Sequence, residues 1–402
     1  MLSVTAATDA ILAALTTWPE VSVPLAMSSG RVLRQNVLAE RDQPPFDRVT
    51  MDGIAVRHSA YAAGRREFAI AASQHAGDPA LSLATAEACI EVMTGAVLPA
   101  GTDCVIPVER TTRAGGNIHV EPDYDATARQ FIHARGSDHR QGYCLLEAGR
   151  RISAIDVALL ASAGLAEVPV SKLPRIRVIS TGNELVAPGT PIEAHQIRMS
   201  NGPAIVAMLQ QQGFSDSAHL HLRDEQSVLE KHIGEQLADS DVLVLSGGVS
   251  MGQADFVPQV LSNLRVRKIF HKVSQRPGKP MWFGTGPQGQ LVFALPGNPV
   301  SALTCCRHYV LPALLTASAT SPRAAVTVRL AAPFRFAPAL TCFLPAQLTA
   351  DENGQLRAQP VPTNTSGDFT TLASTDGYLQ LAADETDFPA DSLQPFFHWA
   401  QS

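Results

Sequence analysis

At 402 residues the chain is too long for one ordinary domain, and two to four are expected. Hydrophobic residues make up 45% and charged residues 17%, which supplies material for packed cores and excludes global disorder on composition. The net charge of −6 argues against a nucleic-acid-binding surface as the main business and leaves room for a local basic pocket.

The six cysteines, Cys89, Cys104, Cys144, Cys305, Cys306 and Cys342, form no CxxC pair. They read as reduced, buried thiols of a cytoplasmic protein rather than a disulfide or zinc framework. No apolar run reaches transmembrane length, and the best candidate, Val300 to Leu315, contains Arg307, His308 and Pro312. The first residues are apolar but lack a basic leader and carry Asp9, which argues against a secretory signal.

The chain opens with a helical pattern in which Ala6, Ala7, Ala10, Ile11, Ala14 and Leu15 share a face. Strand-like pieces follow through Glu40, with a glycine turn at Gly30. In PPFDRVTMDGIAV, Pro44 to Val56, two prolines fix an extended entry and Asp52-Gly53 supplies a turn. Asp47 and Asp52 flank that loop, either as turn chemistry or as carboxylates held on a rigid loop. Residues 65 to 136 hold short strand-like runs broken by glycine and proline, which predicts a small β-rich domain. It contains Thr94-Gly95 at one strand end. Arg135 and Asp138 close the segment, and their spacing favours a surface ion pair.

A helical pattern returns from Ala154 to Ala166, and Pro169 and Pro174 mark a linker. Strand–helix alternation from about 174 to 318 then predicts a doubly wound parallel sheet. Ile176 to Ser180 is a buried-type strand ending in Thr181-Gly182-Asn183-Glu184-Leu185. Asn201 can cap a helix through about Gln212, with Pro203 in its first turn. Ala218 to Leu222 is a strand with His219 and His221 on one face; without a third ligand, a half-exposed strand face is the better reading than a metal site. Asp224 precedes another helix, and either caps it or serves a site.

Asp241 to Leu245 reads as a fully buried strand that breaks at Ser246-Gly247-Gly248. Adjacent glycines let the backbone turn sharply and bring bare N–H groups close to an anion, and Asp255 follows near the next helix start. The pattern is neither Walker nor GxGxxG, and a tight turn with no ligand reads equally well. FHKVSQRPGKPMWF, Phe270 to Phe283, is followed by a strand ending in Pro296-Gly297-Asn298-Pro299 and by a long helix, roughly Val300 to Ala317. In such a sheet the loops at strand ends converge on one crevice. Those loops carry Glu184, Asp224, Ser246, Gly247, Gly248, Asp255, Lys272, Arg276, Lys279 and Ser301. Residues 319 to 402 read as all-β, with Ser366-Gly367-Asp368 in their midst.

Eight collinear segments resemble one family, molybdopterin molybdenumtransferase, the bacterial MoeA proteins, matched also by the C-terminal E domain of gephyrin. They are PPFDRVTMDGIAV, MTGAVLPAGTDCVIPVE, ARGSDHRQG, ISTGNELV, MSNGPAIVAML, SGGVSMGQADF, FHKVSQRPGKPMWFG and ALPGNPVSAL. The resemblance implies a multidomain α/β plus β architecture. An elongated N-terminal/linker domain would comprise 1–43 and 137–173, with a β-rich domain inserted at 44–136. A MogA-like, doubly wound α/β molybdopterin-binding domain at 174–318 and a C-terminal β-barrel-like domain at 319–402 would follow.

The implied reaction inserts molybdenum from molybdate into adenylyl-molybdopterin and releases AMP, with magnesium assisting, in a cytoplasmic homodimer. Other molybdenum-cofactor biosynthesis proteins are implied as possible partners; neither nucleic acid nor membrane is. By the same resemblance, Asp52, Thr94, Asp138, Glu184, Asp224, Asp255, Lys272 and Arg276 are catalytic. Ser246, Gly247, Gly248, Lys279, Pro296, Gly297, Asn298, Ser301 and Ser366 bind substrate, and Asp52, Glu184 and Asp255 hold magnesium. Two anionic substrates call for fixed cations and backbone donors, and these loops contain both. Three departures stand out. Arg276 replaces a common Lys, Asn183 replaces a common Asp, and Pro345 falls where members often place an Arg, so that Arg335 or Arg357 would have to substitute. The rival readings are a molybdopterin adenylyltransferase, which resembles the 174–318 domain alone, and a non-catalytic gephyrin-like scaffold.

Overall fold

The computed structural model describes residues 1–249, 256–321 and 325–399. The chain forms two units. One comprises Met1–Gln35, Ala148–Val157 and Glu167–Ser402; the other comprises Asn36–Glu147 and Ala158–Ala166.

The unit built on Asn36–Glu147 is β-rich. Its main sheet uses β1 (Gly53–Val56), β2 (Glu67–Gln74), β3 (Ala88–Val92), β4 (Cys104–Pro107), β5 (Thr111–Ala114) and β6 (Asn117–Val120), in the order β4-β1-β3-β2-β6-β5. The β2–β3 pair is parallel and the others are antiparallel. Alternate residues feed two cores, because successive strand side chains point to opposite faces. Ile54, Val56, Phe68 and Ile106 fill one; Ala55, Ile90, Val92 and Val105 fill the other.

The larger unit begins with the helix Val4–Leu12, whose first turn is capped by Ser3 and which buries Val4, Ala7 and Ile11. Its central sheet contains β7 (Ile176–Thr181), β8 (Ser217–Leu222), β9 (Val242–Ser246), β10 (Arg267–His271), β11 (Trp282–Thr285) and β12 (Leu291–Leu295), in the order β8-β7-β9-β12-β11-β10. The first four are parallel, and β11 and β10 extend one edge antiparallel. The uninterrupted apolar run of β9 has a simple cause. Val242 and Val244 enter one core and Leu243 and Leu245 the opposite one, so no face of the strand meets water.

The long helix expected after Pro299 is interrupted. It runs Pro299–Cys305, passes through a π-helical turn at Cys306–Val310, and resumes over Leu311–Ala317. The wider turn lets Arg307, His308 and Tyr309, three consecutive residues, all be buried. Burial holds the His308 imidazole neutral, down to about 3, where it meets the Tyr378 hydroxyl at 3.0 Å.

The C-terminal part closes into a five-stranded barrel. Its strands are β13 (Val326–Leu330), β14 (Thr341–Ala350), β15 (Leu356–Pro360), β16 (Gly377–Leu381) and β17 (Leu393–His398). They run β14-β15-β13-β17-β16, and a β14–β16 pairing completes the ring. Val328, Leu330, Leu344, Ala358, Leu379 and Phe396 fill its interior. The six cysteines are free and five are buried; burial pushes Cys89, Cys104, Cys306 and Cys342 up to about 12. Among the described residues no helix is long and apolar enough to cross a membrane.

Candidate active site

Three parallel strands of the α/β sheet end side by side. Ser180 of β7 is level with Ser246 of β9, and Ser246 with Leu295 of β12. Loops beyond the carboxyl ends of such strands form the ligand crevice of open α/β sheets. Asn201 lies across these ends. Its Nδ2 donates to Ser246 Oγ at 3.0 Å and to the Gly297 carbonyl at 2.7 Å. The sequence offers Asn201 as a helix cap, but Ser200 occupies the N-cap position and makes no side-chain cap hydrogen bond. Asn201 is the first residue of helix Asn201–Gln211, and its amide turns to the strand ends instead. It joins two segments proposed from sequence, Ser246-Gly247-Gly248 and Pro296-Gly297-Asn298.

The glycine turn is required by conformation and by space. Gly247 and Gly248 have φ of +102° and +64°. A Cβ on Gly247 would lie 2.6 Å from the Thr181 carbonyl oxygen, and one on Gly248 would lie 2.7 Å from Val257 Cγ2. The expectation of bare N–H groups needs correction at Gly247. Its N–H already donates to the Leu295 carbonyl at 3.2 Å.

The next loop ties two carboxylate-bearing segments together. Asn183 Oδ1 accepts from the Asp224 N–H at 3.2 Å, linking the Glu184 turn to the end of β8. Glu225, and not Asp224, holds the N-cap position of the following helix, with no side-chain cap bond of its own. His219 Nε2 meets Ser180 Oγ at 2.9 Å and His221 Nε2 meets the Gly182 carbonyl at 2.8 Å. The two histidines therefore brace this turn. Burial lowers the pKa of His219, with His221 adding to it, which favours the neutral ring there.

The cation loop is pinned at both ends. Lys272 N–H donates to the Met281 carbonyl at 2.8 Å, and Val273 N–H to the Lys279 carbonyl at 3.0 Å. Between them Gln275 is fully buried. Its Nε2 reaches the Pro277 carbonyl at 3.2 Å and Cys305 Sγ at 3.4 Å, and its Oε1 accepts from the Tyr309 hydroxyl. Gln275–Arg276 also add in parallel to Thr341–Cys342 of β14. Arg276 and Lys279 are exposed and Lys272 is half-buried; among the described residues none of the three makes an ion pair. Gln275 and Tyr309 were not legible as site residues. The π turn that aims Tyr309 has no sequence signature.

The loop after β12 meets the barrel. Asn298 Nδ2 donates to Ser366 Oγ at 2.6 Å, and Val300 N–H donates to the Ser366 carbonyl at 3.1 Å. Ser301 is buried in the first turn of the following helix. Pro345 is buried in β14. Both possible substitutes for a cation there have acidic neighbours. Arg335 faces Asp387 at 3.5 Å, and Arg357 pairs with Asp351 at 3.2 Å and Asp391 at 2.7 Å.

In the β-rich unit, Thr94 N–H and Oγ1 both donate to Asp52 Oδ1 at 2.6 Å. The two bonds, the hydroxyl first, hold the Asp52 carboxyl below the usual carboxylate range. Asp138 meets His133 Nε2 at 2.9 Å, and His133 Nδ1 meets the Arg48 guanidinium at 3.0 Å. A guanidinium only donates, so Nδ1 accepts and the neutral ring offers Nε2–H to Asp138. The expected Arg135–Asp138 pair is absent. Arg135 Nε bonds Asp42 at 2.8 Å because its own N–H is held by Asp47 at 2.9 Å. Asp255 lies outside the described residues.

Family models match nearly the whole length: "MoeA N-terminal region (domain I and II)" over residues 2–164, "Probable molybdopterin binding domain" over 177–316, and "MoeA C-terminal region (domain IV)" over 327–390. A molybdopterin molybdenumtransferase of Synechocystis is 37% identical over 400 residues, covering 99% of this chain and 100% of that protein. One from Synechococcus elongatus is 37% identical over 364 residues, covering 87% and 89%. The crystal structure of a molybdopterin biosynthesis MoeA protein from Pyrococcus horikoshii superposes with a TM-score of 0.81 at 28% identity, covering 99% of each chain. The chain belongs to the molybdopterin molybdenumtransferase family.

Proposed function

We propose that this chain is a transferase of molybdenum-cofactor biosynthesis that inserts molybdenum from molybdate into adenylyl-molybdopterin and releases AMP. The observation that carries this reading is the set of three parallel strand ends, two of them tied together by Asn201, whose glycine turn is followed by Val249, where the carbonyl meets His271 Nε2 at 3.3 Å just ahead of the Lys272–Lys279 loop. A pyrophosphate-bearing nucleotide and a tetrahedral dianion both need such a surface of donors and cations. Family membership over 99% of the chain supports it.

A division of labour belongs to the same proposal. Ser246, Gly247, Gly248, Pro296, Gly297 and Asn298 form the rim that receives the nucleotide. Lys272, Arg276 and Lys279 offset the charge of both anions, and Ser301 and Ser366 lie where the α/β part meets the barrel. Glu184 and Asp224 orient the nucleotide or the attacking water from the opposite loops. Asp52, Thr94, Asp138 and Asp255 complete the proposed catalytic set. The substrate's phosphoanhydride is cleaved by water, so that AMP leaves and the second phosphate stays on the pterin. The four-part division at 1–43 with 137–173, 44–136, 174–318 and 319–402, the homodimer and the cytoplasmic location belong to the same reading.

Magnesium is the implied helper ion. Among the described residues no three His, Cys, Asp or Glu side chains are grouped to hold a metal. Asp52 and Glu184 belong to different units, Asp52 Oδ1 is engaged by Thr94, and Asp255 is outside the described residues. Magnesium is usually held by one or two carboxylates together with substrate phosphates and water, and Asp52, Glu184 and Asp255 would be its candidate ligands.

Purified protein given adenylyl-molybdopterin and molybdate is expected to yield metal-loaded cofactor. With molybdopterin and ATP it is expected to yield no adenylylated product. The reverse pattern would establish an adenylyltransferase, and inactivity in both mixtures would favour a scaffold.

A further inference from the structure

Asp138 stands on an exposed turn of the β-rich unit, with 46% of its side chain open to solvent. A carboxylate so placed has several rotamers to choose from. Here the choice is narrowed twice. The backbone is fixed because the Asp138 N–H donates to the Gln43 carbonyl at 2.9 Å, where Gln43 and His139 form a bridge. The carboxylate is fixed because Oδ1 meets His133 Nε2 at 2.9 Å. The other oxygen has no partner among the described residues, so a reacting group can approach it.

The ring that holds Asp138 is itself set from behind. His133 lies directly across from Arg48 in an antiparallel pair, with Ile132 across from Val49. The Arg48 guanidinium meets His133 Nδ1 at 3.0 Å. A guanidinium has only donors, so Nδ1 accepts and the ring proton sits on Nε2, facing Asp138. With the proton on Nδ1 instead, the ring would turn a lone pair toward the carboxylate and repel it. The same short strand carries the other proposed catalytic carboxylate of this unit. Val49 N–H donates to the Ala96 carbonyl, and Gly95 N–H donates to the Val49 carbonyl, both at 2.9 Å. Those bonds hold the Thr94-Gly95 turn, and Thr94 holds Asp52. Arg48–Val49 therefore reaches Asp138 through side chains and Asp52 through the backbone. A part-exposed pair such as His133 and Asp138 adds little to stability, so orientation is the consequence that remains.

We propose that His133 is a positioning residue for the reaction. Its Nε2–H holds the Asp138 carboxylate in its working orientation, and Arg48, by donating to Nδ1, keeps the ring proton on Nε2. The inference deepens the reading of the protein as a molybdenum insertase and rests on it. The ring itself forms and breaks no covalent bond.

The test joins a tautomer measurement to a double-mutant cycle on the full chain. Nitrogen NMR is expected to show His133 protonated at Nε2 and bare at Nδ1, and Arg48→Met is expected to release that preference. A proton on Nδ1 in the parent overturns the proposal whatever the activity. His133→Phe keeps a planar ring and removes the donor. In turnover of adenylyl-molybdopterin with molybdate it is expected to lower kcat about 10- to 100-fold, the worth of a hydrogen bond to a charged group. KM, and affinity for ADP, which carries the pyrophosphate, are expected to stay as in the parent. His133→Gln can place an amide donor near the Nε2 position and is expected to turn over faster than the Phe variant. In an Asp138→Ala background, His133→Phe is expected to change kcat by less than about twofold, because a residue that acts through Asp138 then has nothing to act on. Unchanged kcat in His133→Phe, equal losses in the Phe and Gln variants, or a loss carried by KM or ADP affinity alone overturns the proposal. So do losses that multiply with that of Asp138→Ala, which would mark His133 as merely structural. If the parent releases no AMP and loads no molybdenum, the insertase reading fails and this proposal with it. If the parent turns over and the losses multiply, only this proposal fails.

Discussion

Asn201 is the side chain on which the proposed nucleotide rim depends, and Asn201→Ala measures that dependence. The substitution removes two hydrogen bonds, at 3.0 Å to Ser246 Oγ and 2.7 Å to the Gly297 carbonyl. Each is worth about 0.5–1.5 kcal/mol net. Alanine in the first helical turn returns roughly 0.5 kcal/mol of intrinsic propensity, so the expected loss is about 0.5–2.5 kcal/mol. For a domain of 150–250 residues about 2–4 °C of Tm accompanies each kcal/mol, which gives a fall of about 1–10 °C in the transition of the α/β part. Differential scanning calorimetry reads this directly. ADP affinity should fall as well, because the Ser246 and Gly297 loops are no longer tied to one amide. Asn201→Asp places an anion beside a carbonyl and the proposed pyrophosphate, and should weaken ADP binding more than Ala does. A Tm within about 1 °C of the parent, together with unchanged ADP affinity, would refute the claim that Asn201 organises the site.

Three further outcomes follow from the geometry. Gly247→Ala places a Cβ 2.6 Å from the Thr181 carbonyl at a φ of +102°, so soluble protein should lose cofactor production in cells; full production would show that the turn is not needed in this conformation. Tyr309→Phe leaves the buried Gln275 Oε1 without its donor and should lower stability by about 1–3 kcal/mol, read by denaturant unfolding; a loss under about 0.3 kcal/mol would deny that the bond matters. Thr94→Val removes the leading cause of the lowered Asp52 pKa, so the carboxyl should titrate at higher pH in an NMR titration. The sign fixes the linkage: the stability from a depressed carboxyl is present above its unfolded pKa and is lost as pH falls through its folded pKa, so the variant should show a weaker acid-side loss.

Much of the α/β layer was legible because its signals are local. An unbroken apolar run such as Asp241 to Leu245, closed by two glycines, fits a strand buried on both faces, and the structure has β9 at Val242–Ser246. The antiparallel edge β11–β10 was not legible, since a short buried strand has the same composition in either direction. Side-chain direction was the larger blind spot. Asn201 has the identity of a cap and the geometry of a tether, and only the positions of Ser246 and Gly297, 45 and 96 residues away, decide between them. Arg135 illustrates the same limit: spacing favours Asp138, whereas a backbone bond to Asp47 turns its guanidinium to Asp42.

The central claim is that one turnover couples metal insertion to cleavage of the adenylyl phosphoanhydride. Its most direct measurement is the ratio of AMP released to molybdenum bound in cofactor, in single-turnover mixtures of the protein, adenylyl-molybdopterin and molybdate. The ratio is expected to be near one, with both products lost together in Gly247→Ala. Molybdenum-loaded cofactor without AMP, or AMP released from protein that never loads the metal, would contradict it.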